Sequence, residues 1–182
     1  MSDRTFIAID VNDGVRGCLN SRCEKLRLHP GEITWVHPKV FHVTLNFLGS
    51  IAPSQMSAVQ ALVAQAAAHA KPFDFQVGGL DAMPIKGRPR VVWANVIEPT
   101  GELLALQERL TAGLEGLGFP REDRPFIPHV TLARIKFTTA TKAIRSDIES
   151  MAKEDFGRVE AREVIVFTSD LQEGGPIHTP VA

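Results

Sequence analysis

The tetrapeptide His-Val-Thr-Leu occurs twice in this chain, at residues 42–45 and 129–132. Each copy lies in a stretch where polar and apolar residues alternate, 41–47 and 126–134. Such alternation predicts a β-strand with one apolar face and one polar face. Each copy is also followed by a predicted helix. We therefore expect an internal repeat of about half the chain, which would give two lobes of approximate two-fold symmetry with the two strands side by side.

The rest of the sequence predicts alternating strands and helices. Besides the two repeat strands, strands are predicted at 6–11, 33–36, 73–80, 90–96, 159–168 and 177–181. Helices are predicted at about 13–28, 53–70, 100–117 and 139–153. The sequence contains no low-complexity segment and no flexible linker. We therefore expect residues 1–182 to form one domain built from two lobes.

Composition limits the partners and the compartment of the protein. Hydrophobic residues make up 44% of the chain and charged residues 23%, which is ordinary for a soluble globular protein. The formal net charge is −1, whereas proteins that hold long nucleic acids usually carry a basic excess. An RNA ligand would therefore be held at a terminus or over a short stretch. Because the sequence has no signal-peptide pattern and no apolar run of roughly 18 residues, we expect a cytoplasmic protein without membrane association.

The repeated motif places four polar side chains where they can act together. Residues i and i+2 of a strand point to the same face, so His42 projects with Thr44 and His129 with Thr131. Histidine has an unperturbed pKa of roughly 6.5, so one ring can accept a proton from water while the other donates one to a leaving oxygen. The two hydroxyls can donate hydrogen bonds to phosphoryl oxygens. This set predicts phosphodiester cleavage, and the strain of a five-membered cyclic phosphate favours a reaction without metal or other cofactor.

Two further features of the motifs bear on the site. Neither copy is accompanied by a cluster of carboxylates or cysteines, so we predict no metal site. Arg134 follows the second motif, but regular alternation puts it on the face opposite His129. It reaches the cleft only if the strand ends or bulges near Ala133. A phosphate contact and a surface salt bridge are therefore the alternatives for Arg134.

Several other residues are candidates for RNA contacts. Phe126 and Trp35 can stack on bases, whereas Phe41 has the parity of a core residue. The basic loop residues are equally consistent with RNA phosphate contacts and with a solvated surface; they are Lys86, Arg88 and Arg90. The remaining histidines have no paired context and are expected to be structural or surface residues; they are His29, His37, His69 and His178.

With both motifs, the chain resembles the 2H phosphoesterase superfamily, which is defined by two His-x-Thr/Ser-x motifs. Within it, the chain is most similar to the RNA 2′,3′-cyclic phosphodiesterases, also called 2′–5′ RNA ligases. The resemblance covers nearly the whole chain, in the segments FIAID (6–10), FHVTLNFLG (41–49), RVVWANV (90–96), RPFIPHVTLAR (124–134) and the tail from 167 to 175. The family commonly has a tyrosine after these glycines, whereas this chain has no tyrosine and has His178 in that place.

The resemblance implies a bilobal α+β fold, with an antiparallel sheet and flanking helices in each pseudo-symmetric lobe and the active site in the central cleft. It implies hydrolysis of a terminal RNA 2′,3′-cyclic phosphate to a 2′-phosphate, and reversible 2′–5′ ligation. By motif order, His42 would be the general acid and His129 the general base. Thr44, Thr131 and Arg134 would hold the phosphate. The implied partner is an RNA 3′ end or a nucleotide with a cyclic phosphate, no cofactor is implied, and we expect a monomer.

Two other functions remain open from the sequence. The first is a related phosphodiesterase that acts on a small cyclic nucleotide, which would hydrolyse a mononucleotide but no RNA end. The second is a module that binds 2′-phosphorylated or 2′–5′ linked nucleotides without turnover. Degenerate members of this kind usually lack a motif histidine, and the presence of both His42 and His129 argues against that function.

Overall fold

The computed structural model describes residues 4–172 and 175–181; Gly174 of the tail motif lies outside these ranges. The described residues form four α-helices, nine strands and one short 3-10 helix. The helices are α1 (Asp13–Arg27), α2 (Pro53–Ala68), α3 (Glu102–Gly116) and α4 (Thr141–Ser150), and the 3-10 helix is η1 (Pro38–Val40). The strands are β1 (Arg4–Asp10), β2 (Gly31–Trp35), β3 (His42–Gly49), β4 (Asp74–Met83), β5 (Val91–Ile97), β6 (His129–Thr138), β7 (Asp155–Glu160), β8 (Ile165–Gln172) and β9 (Gly175–Pro180).

The strands form a single antiparallel sheet with the two repeat strands at its centre. Its order is β7-β4-β5-β6-β3-β1-β8-β9, and β2 pairs with β6 beside this path. Four strands of this path therefore lie on each side of the β3–β6 contact, where Val43 pairs with Val130, and β2 is a fifth strand on the β6 side. The arrangement confirms the predicted α+β fold, the two-fold organisation and the adjacency of the repeat strands.

The helices cover one face of this sheet. Helix α1 contacts β7 and η1, α4 contacts β4, and the paired helices α2 and α3 contact β8 and β3. Val43 and Val130 are fully buried in the same apolar core as the inward side chains of the helices. Full burial of such a side chain contributes roughly 1.5–3 kcal/mol to folding. The core therefore anchors both repeat strands and leaves their polar face turned away from the helices.

The segment after α4 differs from the sequence prediction. One strand was expected at 159–168, but the chain forms β7 up to Glu160 and β8 from Ile165. The four residues between them include the exposed Arg162 and Glu163, which belong to a connection and not to a half-buried strand. The two strands then diverge to opposite ends of the sheet, since β7 pairs with β4 and β8 with β1.

Candidate active site

The four motif side chains lie together on the sheet face that the helices leave uncovered. His42, Thr44, His129 and Thr131 are all partly buried and have the opposite parity to the buried Val43–Val130 pair. In this antiparallel register His42 lies opposite Thr131, and Thr44 lies opposite His129. Directly opposed residues are about 5 Å apart and diagonal ones about 7–8 Å. The structure thus brings together the four residues that the motifs single out, with the two histidines on a diagonal.

Both histidine rings are held by the same backbone contact. His42 donates its Nδ1–H to the carbonyl of Val40 at 2.7 Å, and His129 donates its Nδ1–H to the carbonyl of Ile127 at 2.7 Å. A carbonyl only accepts, so each bond places the proton of the neutral ring on Nδ1. The Nε2 atom of each neutral ring is then unprotonated and is the ring atom that can accept a proton.

An aromatic side chain from the neighbouring strand packs against each ring. Phe6 of β1 stacks on His42, with ring centroids 4.9 Å apart and planes at 25°. Trp93 of β5 lies 5.2 Å from His129 at 46°, and its indole N–H donates to Asn95 at 3.0 Å. From the sequence, Phe6 and Trp93 were recognised only as strand residues. Their roles depend on which strand pairs with each motif, which a single sequence does not specify.

The surroundings of His42 hold its ring in the neutral form. Burial lowers the pKa of His42 to about 4, against the opposing effect of the hydrogen bond to Val40. The nearby His178, Arg16 and His129 lower this pKa further. In the unliganded protein, His42 is therefore an uncharged proton acceptor at neutral pH.

His178 of β9 is an unexpected member of this site. Its ring meets His42 edge-on at 5.4 Å and Phe6 at 4.9 Å, and burial lowers its pKa. Its Nδ1 is buried and has no hydrogen-bond partner within the described residues. The expectation that His178 lacks a paired context is therefore wrong, because the β1–β8–β9 pairing brings the tail alongside the first motif.

Arg134 reaches the same face as His129 because β6 contains a bulge. The β5–β6 register runs from Trp93–Thr131 to Val92–Ala133 and so skips Leu132. The extra residue reverses the alternation, which leaves Ala133 fully buried and Arg134 exposed. The sequence places Arg134 in the cleft only if the strand ends or bulges near Ala133. The structure contains this bulge.

The first motif has the same bulge. The β1–β3 register runs from Ala8–Thr44 to Ile7–Asn46, and so skips Leu45. Phe47 then occupies the position in β3 that Arg134 occupies in β6, and 59% of its surface is exposed. The repeat therefore extends beyond the tetrapeptide, with an aromatic ring after one motif and a cation after the other.

The other aromatic candidates lie in three different settings. Phe41 is fully buried, as its parity predicts. Trp35 pairs with the buried Ala133 and lies 5.4 Å from the Arg27 guanidinium of α1, so it packs on the helix-covered side and is not a stacking residue of the cleft. Phe126 is half-buried in the loop before β6 and lines a cavity next to β3.

The basic loop lies beside the second half of β6, beyond the motif residues, where the Arg90 carbonyl accepts a hydrogen bond from Ile135 N–H at 2.8 Å. Lys86, Arg88 and Arg90 are exposed, and the Arg88 guanidinium lies 5.9 Å above the ring of Phe137. His29 pairs with Asp147 at 2.7 Å. Within residues 4–172 and 175–181, no three His, Cys, Asp or Glu side chains are grouped so that they could hold a metal ion. No helix in that same part of the chain is long and apolar enough to span a membrane.

The chain is similar to known proteins over nearly its full length. Residues 19–170 match the family model described as the 2'-5' RNA ligase superfamily. An RNA 2',3'-cyclic phosphodiesterase of Archaeoglobus fulgidus is 31% identical over 175 residues, which cover 96% of both chains. Another protein of that name, from Thermotoga maritima, is 33% identical over 96% of this chain and 91% of its own.

A solved structure shows the same fold. The crystal structure of TT0787 of Thermus thermophilus superposes with a TM-score of 0.84 and 30% identity, over 98% of this chain and 95% of that one. The agreement in sequence and fold confirms the resemblance that the paired motifs indicate. The chain therefore belongs to the 2'-5' RNA ligase superfamily of two-histidine phosphoesterases.

Proposed function

We propose that this protein hydrolyses a terminal RNA 2′,3′-cyclic phosphate to a 2′-phosphate by metal-independent catalysis. The names of its relatives support the substrate class. The observation that carries the proposal is the central array of two histidines and two threonines. Both rings are oriented by the same Nδ1 contact, so that both Nε2 atoms remain for proton transfer.

In the proposed reaction, water attacks phosphorus while the bond from phosphorus to the 3′ oxygen breaks. His129 Nε2 accepts the proton that the water loses, and His42 gives a proton from Nε2 to the departing 3′ oxygen. The products are a 2′-phosphate and a 3′-hydroxyl. Thr44 and Thr131 donate hydrogen bonds to the non-bridging oxygens, and the Arg134 guanidinium offsets their negative charge.

The low pKa of His42 bears on this assignment. A general acid must be protonated, and the pKa of about 4 works against protonation in the unliganded protein. The negative charge of a bound cyclic phosphate raises that pKa, because a nearby opposite charge stabilises the protonated ring. The same observation favours a second assignment, in which His42 is the base and His129 the acid.

A sulfur substitution distinguishes the two assignments. When sulfur replaces the bridging 3′ oxygen of the cyclic phosphate, the leaving thiolate needs no proton, so loss of the general acid costs little. We expect His42→Ala to recover most of its lost rate on this substrate and His129→Ala to recover none. Recovery of the lost rate by His129→Ala alone would show that His129 is the general acid and His42 the general base.

The activity itself is tested on an RNA oligomer that ends in a 2′,3′-cyclic phosphate, incubated with excess EDTA. We expect a 2′-phosphate product and full turnover with the chelator. His42→Ala and His129→Ala should each lower the rate by about 10²–10⁴-fold while the circular dichroism spectrum stays unchanged. Turnover that EDTA abolishes and a divalent ion restores would refute metal-independent catalysis.

The same residues also account for 2′–5′ ligation. The 5′-hydroxyl of a second RNA then replaces water: its oxygen bonds to phosphorus, the bond to the 3′ oxygen breaks, and a 2′–5′ diester with a free 3′-hydroxyl results. We propose that one chain suffices for both reactions, since all four array residues come from one sheet. Sedimentation of the active enzyme as a monomer of 19.9 kDa checks this point.

A further inference from the structure

Arg16 of α1 is a largely enclosed cation that has no part in the proposed proton transfers. Its side chain is 14% exposed. Nε donates to the Val11 carbonyl at 2.9 Å, Nη1 donates to the Pro38 carbonyl at 2.8 Å, and Nη2 pairs with the Asp10 carboxylate at 2.6 Å. Each nitrogen of the guanidinium thus has a partner, in the directions that its planar fork allows.

The partners of Arg16 lie on both sides of His42. Asp10 is at the end of β1 and is the residue paired with His42 in the β1–β3 register. Pro38 begins η1, and the last residue of η1 is Val40, whose carbonyl accepts the Nδ1–H of His42 at 2.7 Å. One guanidinium therefore holds both backbone segments that flank the first motif histidine.

The turn of η1 needs a support of this kind. Its own hydrogen bonds run from Val40 N–H to the His37 carbonyl at 2.9 Å and from Phe41 N–H to the Pro38 carbonyl at 3.2 Å. These bonds close the turn, but they do not orient it relative to the helices. The bond from Arg16 to the Pro38 carbonyl ties the turn to α1.

The part of α1 that carries Arg16 is itself anchored to the sheet. Arg16 lies in the first turn of the helix, where its N–H donates to the Asn12 carbonyl at 3.0 Å. The Asn12 side chain accepts from Val15 N–H at 3.0 Å and donates to the Arg158 carbonyl of β7 at 2.7 Å. The guanidinium therefore extends from a fixed point towards η1.

The second motif histidine is held in a different way. The Ile127 carbonyl accepts its Nδ1–H at 2.7 Å, and the next carbonyl, that of Pro128, accepts from Val96 N–H of β5 at 3.2 Å. A main-chain bond to the sheet thus anchors the support of His129, whereas a side chain anchors the support of His42. A single substitution can remove the side-chain anchor, and His129 then serves as the internal reference.

We propose that Arg16 is a positioning residue for His42: it holds η1 so that the Val40 carbonyl keeps the proton of the neutral ring on Nδ1 and leaves Nε2 for the reaction. Arg16 acts through Val40 and touches neither the substrate nor the reacting atoms. The inference rests on the proposed phosphodiesterase function, but its effect on the ring is measured without turnover.

The test determines the tautomers of both motif histidines. Long-range ¹H–¹⁵N NMR spectra distinguish a neutral ring protonated on Nδ1 from one protonated on Nε2. At about pH 8, we expect the Nδ1–H tautomer at His42 and His129 in the unmodified protein. Arg16→Met, which keeps the length of the side chain and removes the donors, should give a mixture of tautomers at His42 and leave His129 unchanged. A single Nδ1–H tautomer at His42 in Arg16→Met would overturn the proposal.

Arg16→Lys separates the fork of Arg16 from its charge, which by itself lowers the pKa of His42. Lysine keeps the charge, but its ammonium cannot reproduce the planar fork. We expect Arg16→Lys to lower kcat on an RNA 2′,3′-cyclic phosphate at least about ten-fold, with KM changed less than about two-fold, because the ring is misplaced while the phosphate contacts remain. Full activity of Arg16→Lys beside a loss in Arg16→Met would assign the effect to charge and refute positioning.

Arg22→Met is the matched control, because Arg22 also lies on α1 and pairs with Glu154, away from η1. This variant should keep both tautomers and the kcat of the unmodified protein. Thermal unfolding of all variants identifies any loss of fold. If Arg16→Met does not fold, the spectrum of Arg16→Lys decides, since a mixture of tautomers at His42 is expected there too.

The two proposals fail in different ways. Turnover by the unmodified protein, with His42 in the Nδ1–H tautomer in both Arg16 variants, would refute the positioning role alone. Absence of turnover by the unmodified protein, with a mixture of tautomers at His42 in the Arg16 variants, would refute the phosphodiesterase alone.

Discussion

His42 and His129 have the same tautomer but different surroundings. The carbonyls of Val40 and Ile127 set the protonated nitrogen in each ring. His42, however, is enclosed by Phe6 and by His178, whereas His129 packs against one indole whose N–H is directed to Asn95. A repeated sequence thus produces two chemically distinct imidazoles, which a reaction with one acid and one base requires.

The low pKa of His42 predicts how stability changes with pH. The folded-state pKa of about 4 is below the unfolded value of about 6.5, so the unfolded chain takes up this proton first as pH falls. His42 therefore supports the folded state fully above about pH 6.5, and this contribution is lost as pH falls towards 4. The loss amounts to about 1–3 kcal/mol, since one pKa unit corresponds to about 1.4 kcal/mol.

Chemical denaturation at pH 7 and pH 4 measures this effect. Between these values, the free energy of unfolding should fall less in His42→Phe than in the unmodified protein, by about 1–3 kcal/mol. His69→Gln, at the end of α2, controls for replacing a histidine elsewhere. Equal pH dependence in His42→Phe and the unmodified protein would show that the ring is not desolvated as the structure indicates.

At the scale of elements, the bulges of β3 and β6 determine which side chains after each motif lie on the same sheet face as the motif histidines. Skipping Leu45 and Leu132 moves Phe47 and Arg134 onto the sheet face that carries His42 and His129. A third irregularity lies in β4, where the β4–β5 register skips Gly79. The Gly79 carbonyl accepts a hydrogen bond from Asn95, the residue paired with His129 across β5 and β6.

Gly79→Ala is expected to destabilise the protein. Gly79 has a φ of +69°, and an added Cβ would lie 2.5 Å from the carbonyl oxygen of Ala152. The left-handed backbone and the overlap together should lower the free energy of unfolding by at least about 2 kcal/mol. Gly17→Ala, within α1, meets no atom within 4 Å and should stabilise by about 0.5–1 kcal/mol. Thermal or urea unfolding of both variants checks this pair, and equal stabilities would contradict the bulge geometry.

The two motifs were sufficient to predict the adjacent strands, the shared polar face and the burial of Phe41, because alternation and repetition are local properties of the sequence. The bulges were not predictable, since each is defined by register against a strand distant in sequence. The contact of His178 with His42 has the same cause: the tail meets the first motif only through β1 and β8. The separate strands β7 and β8 were also missed, because each pairs with a strand that is distant in sequence, β7 with β4 and β8 with β1.

At the scale of the whole molecule, the repeat is symmetric in backbone and asymmetric in side chains. Beyond the first motif lie the exposed ring of Phe47 and a cavity of nearly balanced charge. Beyond the second lies Arg134, next to Val91 of β5 and Thr34 of β2. The molecule carries a formal net charge of −1, so its electrostatic attraction for RNA is confined to a few side chains.

This charge distribution predicts a weak dependence of RNA binding on salt. For single strands, the slope of log affinity against log salt is about −0.7 per phosphate contacted. With one or two contacts, we expect KM for an RNA 2′,3′-cyclic phosphate to rise less than about ten-fold between 50 and 200 mM salt. Oligomers of about 4 and about 20 nucleotides should then differ little in KM, because added phosphates meet no further cations.

Arg134→Gln should flatten the slope of log affinity against log salt by about 0.7, because this variant removes one phosphate contact. A steep slope that Arg134→Gln leaves unchanged would instead place the RNA backbone on the exposed loop of Lys86, Arg88 and Arg90, and charge reversal of that loop would then reduce it.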